Sequence, residues 1–508
     1  MAANAPPQAE TTPPAPAAEP PRVATGIVGL DVVLGGGVLR RQLYVIEGAA
    51  GTGKTTLALH FLLAGRAHGE RCLWLTTTET PDELWAAAHA YGWSLEGVTV
   101  LALPMVDRLA HPDQRQTLFR PAHLELDETL HEIRTALAQV QPERVVLDSL
   151  AILRDMADDP LAYRRQVLAL KQALRARGCT ALLTDEVAEP SDLHVRTLAH
   201  GVVRLLREVT TFGNQQRQVE IVKMRGMTFH SGRHDMVIEA GGLQVFPRLT
   251  AAADDRAAPL EVVSTGVAPL DTLLGGGLDR GTATLLVGAA GIGKSSVTMQ
   301  CAMAALQRGQ AVAVYLFNER PPTWFARADH LGFPLRQAVT PGTLLVEQID
   351  PAEMSPGQFA AAVQAVVTQR AVQLVILDSL TGYVHAMPDA RFVTLHLHEL
   401  LTWLGQQEAT TLLVLDQQGL LDSPMPASLD LSYLADTVLL FRYFEDRGTI
   451  RRAVSVVKRR GGPHEPTIRE LTLGAHGIGV GEPLTQFHGV LTGFPTYAGD
   501  RPDGSGHP

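Results

Sequence analysis

The chain has 508 residues and a formal net charge of −10, with 43 basic and 53 acidic side chains. Its 45% hydrophobic and 19% charged residues are typical of globular proteins and exclude a fully disordered chain. No apolar run reaches the ~18–20 residues of a membrane span and no secretory signal opens the chain, so we expect no membrane association. Three distant cysteines cannot form a disulfide framework, which favours a reducing cytoplasmic compartment. The acidic balance argues against nucleic acid as a partner.

A long internal repeat divides the chain into two copies. Residues 25–37 recur at 265–277, 48–56 at 288–296, 145–150 at 375–380 and 222–226 at 457–461. So long a period predicts tandem domains, because each copy can build its own core. The predicted parts are a disordered Pro/Ala-rich tail at 1–22, a first domain at 23–248, a linker at 249–259, a second domain at 260–497 and a flexible tail at 498–508.

Each copy alternates short apolar runs with amphipathic segments. In the first copy these runs read QLYVIEG, RCLWLTTTE, ERVVLDS and TALLTDE. Continuous apolar runs are typical of strands buried on both faces of a parallel sheet. The pattern therefore predicts an α/β fold, a mainly parallel twisted sheet covered by helices on both faces. Two further β-type runs per copy, GVVRLLRE and VEIVKM in the first, should extend the sheet at one side.

Both copies carry the pattern G-x-x-x-x-G-K-[ST] between a strand and a helical segment. Its glycines let backbone N–H groups converge on phosphates, and the helix N-terminus adds its dipole. We expect Lys54 and Lys294 to neutralise β/γ-phosphate charge and to act in catalysis, and Thr55 and Ser295 to ligate Mg²⁺. The predicted ATP contacts are Gly48, Gly51, Thr52, Gly53, Lys54, Thr55, Thr56, Gly288, Gly291, Ile292, Gly293, Lys294, Ser295 and Ser296.

Acidic residues end two of the predicted strands in each copy. Asp148 and Asp378 stand where a P-loop site holds Mg²⁺, usually through water; capping of a turn is the alternative. Glu79 and Glu319 end the strand after the P-loop helix, where a carboxylate can take a proton from a water that attacks the γ-phosphate. A solvated loop glutamate, or a helix N-cap contribution, is the alternative for these two.

A K-x-R pair follows in each copy, Lys223 with Arg225 and Lys458 with Arg460. Residues two apart lie on one face of a strand, so both cations can face a phosphate and stabilise its charge in the transition state. We therefore include them among the predicted ATP-binding residues. A basic sheet edge that blocks aggregation is the alternative.

These motifs together resemble the KaiC family of tandem RecA-like ATPases. The resemblance covers about 23–497 and rests on the GLD…GGG segments, two P-loops, two LDS strands, two K-x-R strands and the runs ADTVLLFRYFEDRG and IRELTL. It implies two RecA-like P-loop domains and a hexameric homo-oligomer with ATP and Mg²⁺ between neighbouring subunits. It also implies that the K-x-R cations act in trans, although a cis arrangement fits the sequence equally well. A protein signalling partner, unidentified by the sequence, is expected.

The chain departs from the family at two places. The family has paired glutamates at the strand tip, whereas the pairs here read Thr78-Glu79 and Asn318-Glu319. Loss of a general base slows turnover by ~10²–10⁴-fold rather than abolishing it, so we expect slow hydrolysis. The family's Ser-Thr phosphoacceptor pair reads Ser432-Tyr433 here, which leaves Ser432 as the candidate acceptor.

The sequence is consistent with four functions. The sequence favours a slowly hydrolysing KaiC-like signalling or timing ATPase, with the first copy faster because Thr78 can still hydrogen-bond a water. A serine/threonine autokinase that modifies Ser432 and a nucleotide-gated scaffold without useful turnover are the alternatives. A DNA recombinase or helicase rests on fold analogy alone, and the acidic charge counts against it.

Overall fold

In the computed structural model, the chain forms two compact units, and the second takes in the chain from Arg248 onward. The structure describes residues 21–103, 122–155, 157, 159–186, 193–208, 215–249, 261–386, 390–417, 431–491 and 496–497. The tail predicted at 498–508, most of the tail predicted at 1–22 and all but one residue of the predicted linker lie outside these ranges. That one residue, Leu249, is buried in the apolar core of the second unit.

The first unit is built on eleven described strands. They are β1 (Arg22–Val23), β2 (Val38–Leu39), β3 (Leu43–Glu47), β4 (Cys72–Thr76), β5 (Val98–Ala102), β6 (Arg144–Asp148), β7 (Thr180–Asp185), β8 (Gly201–Glu208), β9 (Gln216–Met224), β10 (Arg233–Glu239) and β11 (Gly242–Phe246). Nine of them form one sheet in the order β11-β10-β9-β8-β3-β7-β6-β4-β5, and β1 pairs with β2 apart from it.

Helices occupy most of the connections between these strands. They are α1 (Val28–Val33), α2 (Lys54–Ala67), α3 (Pro81–Ala90), α4 (Ala122–Val140), α5 (Leu150–Asp155), α6 (Pro160–Ala176) and α7 (Leu193–Leu198). The strands from β8 through β5 run parallel, as strands joined by crossover helices do.

The second unit repeats this plan. Its strands are β12 (Val262–Val263), β13 (Leu278–Asp279), β14 (Ala283–Gly288), β15 (Ala311–Leu316), β16 (Leu344–Gln348), β17 (Val372–Asp378), β18 (Thr410–Asp416), β19 (Thr437–Asp446), β20 (Thr449–Arg459), β21 (Ile468–Gly474), β22 (Gly477–Pro483), β23 (Phe487–His488) and β24 (Thr496–Tyr497). Its helices are α8 (Ala268–Leu273), α9 (Lys294–Gln307), α10 (Pro321–His330), α11 (Pro356–Arg370), α12 (Leu380–Ala386) and α13 (Ala390–Gln406), with a 3₁₀ turn at Leu335–Ala338.

The two nine-stranded sheets have the same topology. The second runs β22-β21-β20-β19-β14-β18-β17-β15-β16, which matches the first strand for strand. The predicted α/β fold with a mainly parallel sheet is therefore confirmed in both copies. The predicted extension at one side is also present as β8 and β9 and as β19 and β20. In each sheet the structure adds two antiparallel strands beyond it, β10 with β11 in the first and β21 with β22 in the second.

Each sheet has an apolar cluster on both faces. Successive side chains of β3 alternate between them, Tyr44 and Ile46 in one cluster and Leu43 and Val45 in the other. This alternation explains the continuous apolar runs, because both faces of the central strands are buried. Among the helices in the described ranges, none has the length and apolar composition needed to cross a bilayer.

Candidate functional site

The two P-loops have the same backbone shape. Gly51 and Gly53 have φ of +73° and +104°, and Gly291 and Gly293 have +76° and +114°. These left-handed values favour glycine, since a side chain strains them. Each loop leaves the carboxyl end of a central strand, β3 or β14, and leads directly into a 14-residue helix, α2 or α9. Backbone N–H groups and a helix N-terminus therefore meet at the carboxyl edge of each sheet.

The first P-loop lysine folds back on its own loop. Lys54 Nζ donates to the carbonyl oxygens of Gly48 (2.7 Å) and Ala49 (3.0 Å). Burial lowers the pKa of Lys54, and carboxylates nearby, led by Glu186, act in the opposite direction. An ammonium held in this way is poised to exchange carbonyl contacts for phosphate oxygens.

The second P-loop lysine is more tightly held. Lys294 Nζ donates to the carbonyl oxygens of Gly288 and Ala289, both at 2.7 Å, and forms an ion pair with Asp416 Oδ1 at 2.8 Å. Asp416 ends β18, and its backbone N–H donates to the Thr381 hydroxyl at 3.0 Å. A nucleotide at this loop must therefore compete with a carboxylate for the lysine.

Beneath the first P-loop, a hydroxyl and a carboxylate lie side by side. Thr55 Oγ1 donates to Asp148 Oδ2 at 3.0 Å, which brings together the two predicted metal residues of this copy. Thr184 on β7 donates to the other oxygen, Asp148 Oδ1. Such oxygen ligands fit Mg²⁺, which usually takes one or two protein ligands and keeps several waters.

The second copy lacks one of these contacts. Ser295 lies near enough to Asp378 to favour its ionised form, but Asp378 Oδ2 is buried without a hydrogen-bond partner among the described residues. The matched position on β18 is Val414, because it pairs with Leu286 as Thr184 pairs with Ile46. Burial raises the pKa of Asp378 to about 6. The orphaned oxygen fits a site completed by a cation.

Glu79 is the predicted general base of the first copy. It follows β4, and the Thr76 hydroxyl accepts from its backbone N–H (3.0 Å) and donates to its carbonyl (2.8 Å). The next residue, Thr80, is the N-cap of α3 and forms a capping box with Glu83, which anchors the turn. Burial raises the pKa of Glu79, and the charge of Asp148 adds to it, which suits a proton acceptor.

Glu319 in the second copy has a different neighbour. Arg327 Nη2 on α10 donates to its Oε2 in an ion pair. Asn318, which stands in place of the family's first glutamate, donates from Nδ2 to Ser379 Oγ at 3.2 Å. This hydrogen bond joins the end of β15 to the residue after Asp378.

The K-x-R cations contact a short segment in each copy. In the first copy, Lys223 Nζ donates to the carbonyls of Arg196 (2.5 Å) and Ala199 (2.8 Å), and Arg225 donates to that of Thr197 (2.8 Å). Burial lowers the pKa of Lys223. Both side chains therefore point the same way, and their role at a nucleotide stays a prediction.

The second copy repeats these contacts around the candidate phosphoacceptor. Lys458 Nζ donates to the carbonyls of Ser432 (2.7 Å) and Ala435 (2.8 Å), and Arg460 donates to that of Tyr433 (2.8 Å). Ser432 is half-buried, and the segment that carries it is fixed by both cations of the pair.

A buried carboxylate precedes the first P-loop. Glu47 is 2% exposed and pairs with Arg196 Nε at 2.8 Å and Arg204 Nε at 3.0 Å. Arg196 also supplies a carbonyl to Lys223. The strand that leads into the P-loop is thus linked to the segment that the K-x-R cations hold.

Sequence patterns missed several neighbours of the site. Thr184 and Asp416 lie near the carboxyl ends of strands that flank the P-loop strand, and their proximity to the site becomes evident only once that strand order is known. Arg327 lies in an ordinary amphipathic helix and carries no such signal. A Cβ at Gly51 would lie 2.9 Å from Arg207 Nη1, so this arginine also stands beside the first P-loop.

Comparison with known proteins identifies one family over most of the chain. A model of the KaiC ATPase domain matches twice, at residues 23–250 and 263–485. The circadian clock oscillator protein KaiC of Picosynechococcus is 24% identical over 94% of this chain and 92% of that protein. The circadian clock protein KaiC3 of Synechocystis is 26% identical over 94% and 95%, and the KaiC of Thermostichus vulcanus is 25% identical over 94% and 92%.

Proposed function

This chain belongs to the KaiC family of ATPases, and we propose on that premise that it binds Mg-ATP in both copies and hydrolyses it slowly, chiefly in the first. The hydrogen bond between Thr55 and Asp148, directly beneath the P-loop, carries the proposal. It brings together the hydroxyl and the carboxylate that P-loop enzymes use around Mg²⁺. Bound Mg²⁺ supplies charge neutralisation at the β/γ-phosphates.

In the first copy, different residues bind the phosphates and accept the proton of the attacking water. Backbone N–H groups of the loop and Lys54 bind the phosphates and neutralise their charge. A water oxygen attacks the γ-phosphorus, the bond to the β–γ bridging oxygen breaks, and Glu79 takes the water's proton. Burial and Asp148 raise the pKa of Glu79, so its carboxylate is a stronger base than an exposed one.

Nucleotide at subunit interfaces of a hexameric ring is the second part of the proposal. The paired cations support it, because both copies hold Lys and Arg together against one segment of chain. We expect these cations to reach the ATP of the neighbouring subunit. Size measurement by light scattering with and without Mg-ATP tests this, and a species of monomer mass under both conditions contradicts it.

Autokinase activity and a scaffold role remain as alternatives. The contacts of Lys458 and Arg460 favour the first, since they fix the segment of Ser432. The ion pairs of Glu319 and Lys294 favour the second in the second copy. Incubation with γ-phosphate-labelled ATP and Mg²⁺, following free phosphate and protein-bound label, separates the three. We expect free phosphate without bound label; label on Ser432 supports a kinase, and retained ATP with neither product supports a scaffold.

A further inference from the structure

The two candidate bases have different charged neighbours. Arg327 lies two turns into α10, and its guanidinium pairs with the carboxylate of Glu319. The side chains are 39% and 23% exposed, so this pair is partly shielded from solvent. Arg327 also favours the ionised form of Asp378 electrostatically, which places it near the predicted metal carboxylate.

The first copy has alanine at the matched position. Helices α3 and α10 begin at Pro81 and Pro321 and have equal length, so Arg327 corresponds to Ala87. An alanine has no group that can bind Glu79. Burial raises the pKa of Glu79, and the charges of Asp148 and Glu83 raise it further.

A guanidinium bond changes what a carboxylate can do. A general base needs a free lone pair and the freedom to turn toward the water whose proton it takes. An N–H that donates to a carboxylate oxygen occupies one lone pair and holds the side chain in a fixed direction. Neither residue of this pair belongs to the phosphate-binding loop at 288–295, so the contact can suppress hydrolysis and leave ATP binding intact.

We propose that Arg327 is a positioning residue that restrains Glu319, so that the second copy holds ATP while the first turns it over. This inference rests on the proposed ATPase function. Both copies lack the family's first glutamate, so that loss does not distinguish them. The inference attributes the slower hydrolysis in the second copy to one residue on α10.

The test removes the ion pair of Glu319 in a variant whose first copy has lost its candidate general base. Glu79→Gln serves as the background because it keeps the first P-loop intact for ATP. Adding Arg327→Ala should raise release of free phosphate by about tenfold or more, since general-base assistance is worth ~10²–10⁴-fold. Arg327→Lys keeps a cation at this place and should stay near the background rate. Adding Glu319→Gln to Arg327→Ala should remove the gain.

The reciprocal exchange tests the same contact in the first copy. In a Glu319→Gln background, Ala87→Arg should slow phosphate release by about tenfold, because it places a guanidinium where Glu79 can bind it. Ala87→Gln adds a similar stem without the charge and should slow it much less. ATP retained per chain should not change in either variant.

The outcomes separate the inference from the proposal beneath it. If the unmodified chain releases phosphate but Arg327→Ala gives no gain, Arg327 does not restrain Glu319 and the inference is overturned. If Arg327→Lys gains as much as Arg327→Ala, the ion pair is not the cause and the inference is again overturned. If neither the unmodified chain nor any variant releases phosphate, the ATPase function itself fails.

Discussion

Thr184 and Val414 occupy matched positions on β7 and β18. Replacing Val414 by threonine therefore gives a specific prediction for the free energy of unfolding. Thr184 donates to Asp148, whereas Asp378 has a buried oxygen without a partner among the described residues. Val414→Thr changes the shape of the side chain little and supplies the missing donor. A hydrogen bond to a charged group contributes about 1.5–3 kcal/mol, so the variant should gain ~1–2 kcal/mol of unfolding free energy when Asp378 is ionised.

The pH dependence of this gain follows from the raised pKa of Asp378. Burial moves it from its usual 3.8 to about 6, which corresponds to ~3 kcal/mol. Because the folded-state pKa is raised, the stability from the protonated carboxyl is full below about pH 4 and lost as the pH rises through about 6. Val414→Thr lowers this pKa, so its gain should be largest near pH 8 and small near pH 4.

Urea unfolding of the metal-free full chain at about pH 8 and about pH 5 measures this gain. Val375→Thr is the matched control, because Val375 is fully buried in an apolar cluster. It should lose about 1–3 kcal/mol at both pH values, since its hydroxyl finds no charged partner. A loss for Val414→Thr equal to that of the control at the higher pH would refute the reasoning.

Three other predictions have defined outcomes. Lys54→Ala or Lys294→Ala should each halve the ATP bound per chain in equilibrium dialysis; an unchanged stoichiometry contradicts the two-site assignment. Burial lowers the pKa of His60 to about 4, so the stability that it contributes is present above about pH 6.5 and lost as the pH falls. His60→Gln introduces the residue found at the matched position, Gln300, and should reduce the loss of thermal stability at acid pH. An equally steep loss in the variant would show that His60 is not its source. Glu47→Gln should lower the free energy of unfolding in urea by about 3 kcal/mol, because two arginines lose a buried charged partner. A loss under ~1 kcal/mol would show that these ion pairs contribute little to stability.

Local patterns predicted the sheets, the loops and the strand ends. The continuous apolar runs around Tyr44 and Leu286 indicate central strands because both faces of such strands are buried. Glycine spacing predicted the P-loops because the positive φ of Gly53 and Gly293 needs that residue. These features depend on residues close together in the chain.

Features that depend on neighbours far apart in the chain could not be predicted. The difference between Thr184 and Val414 matters only once β6 is known to lie beside β7, and β17 beside β18. Arg327 looks like any solvent-facing arginine until α10 brings it to Glu319. Leu249 reads as part of a polar linker, and only the packed second unit shows that it is buried.

Unequal hydrolysis in two similar copies is the central claim, and one comparison tests it most directly. Steady-state release of free phosphate from Mg-ATP is measured for the unmodified chain, Glu79→Gln and Glu319→Gln, with bound ATP quantified in each. The account predicts that Glu79→Gln loses most of the release and Glu319→Gln keeps most of it, while both retain ATP. Equal losses in the two variants, or a larger loss in Glu319→Gln, would contradict it.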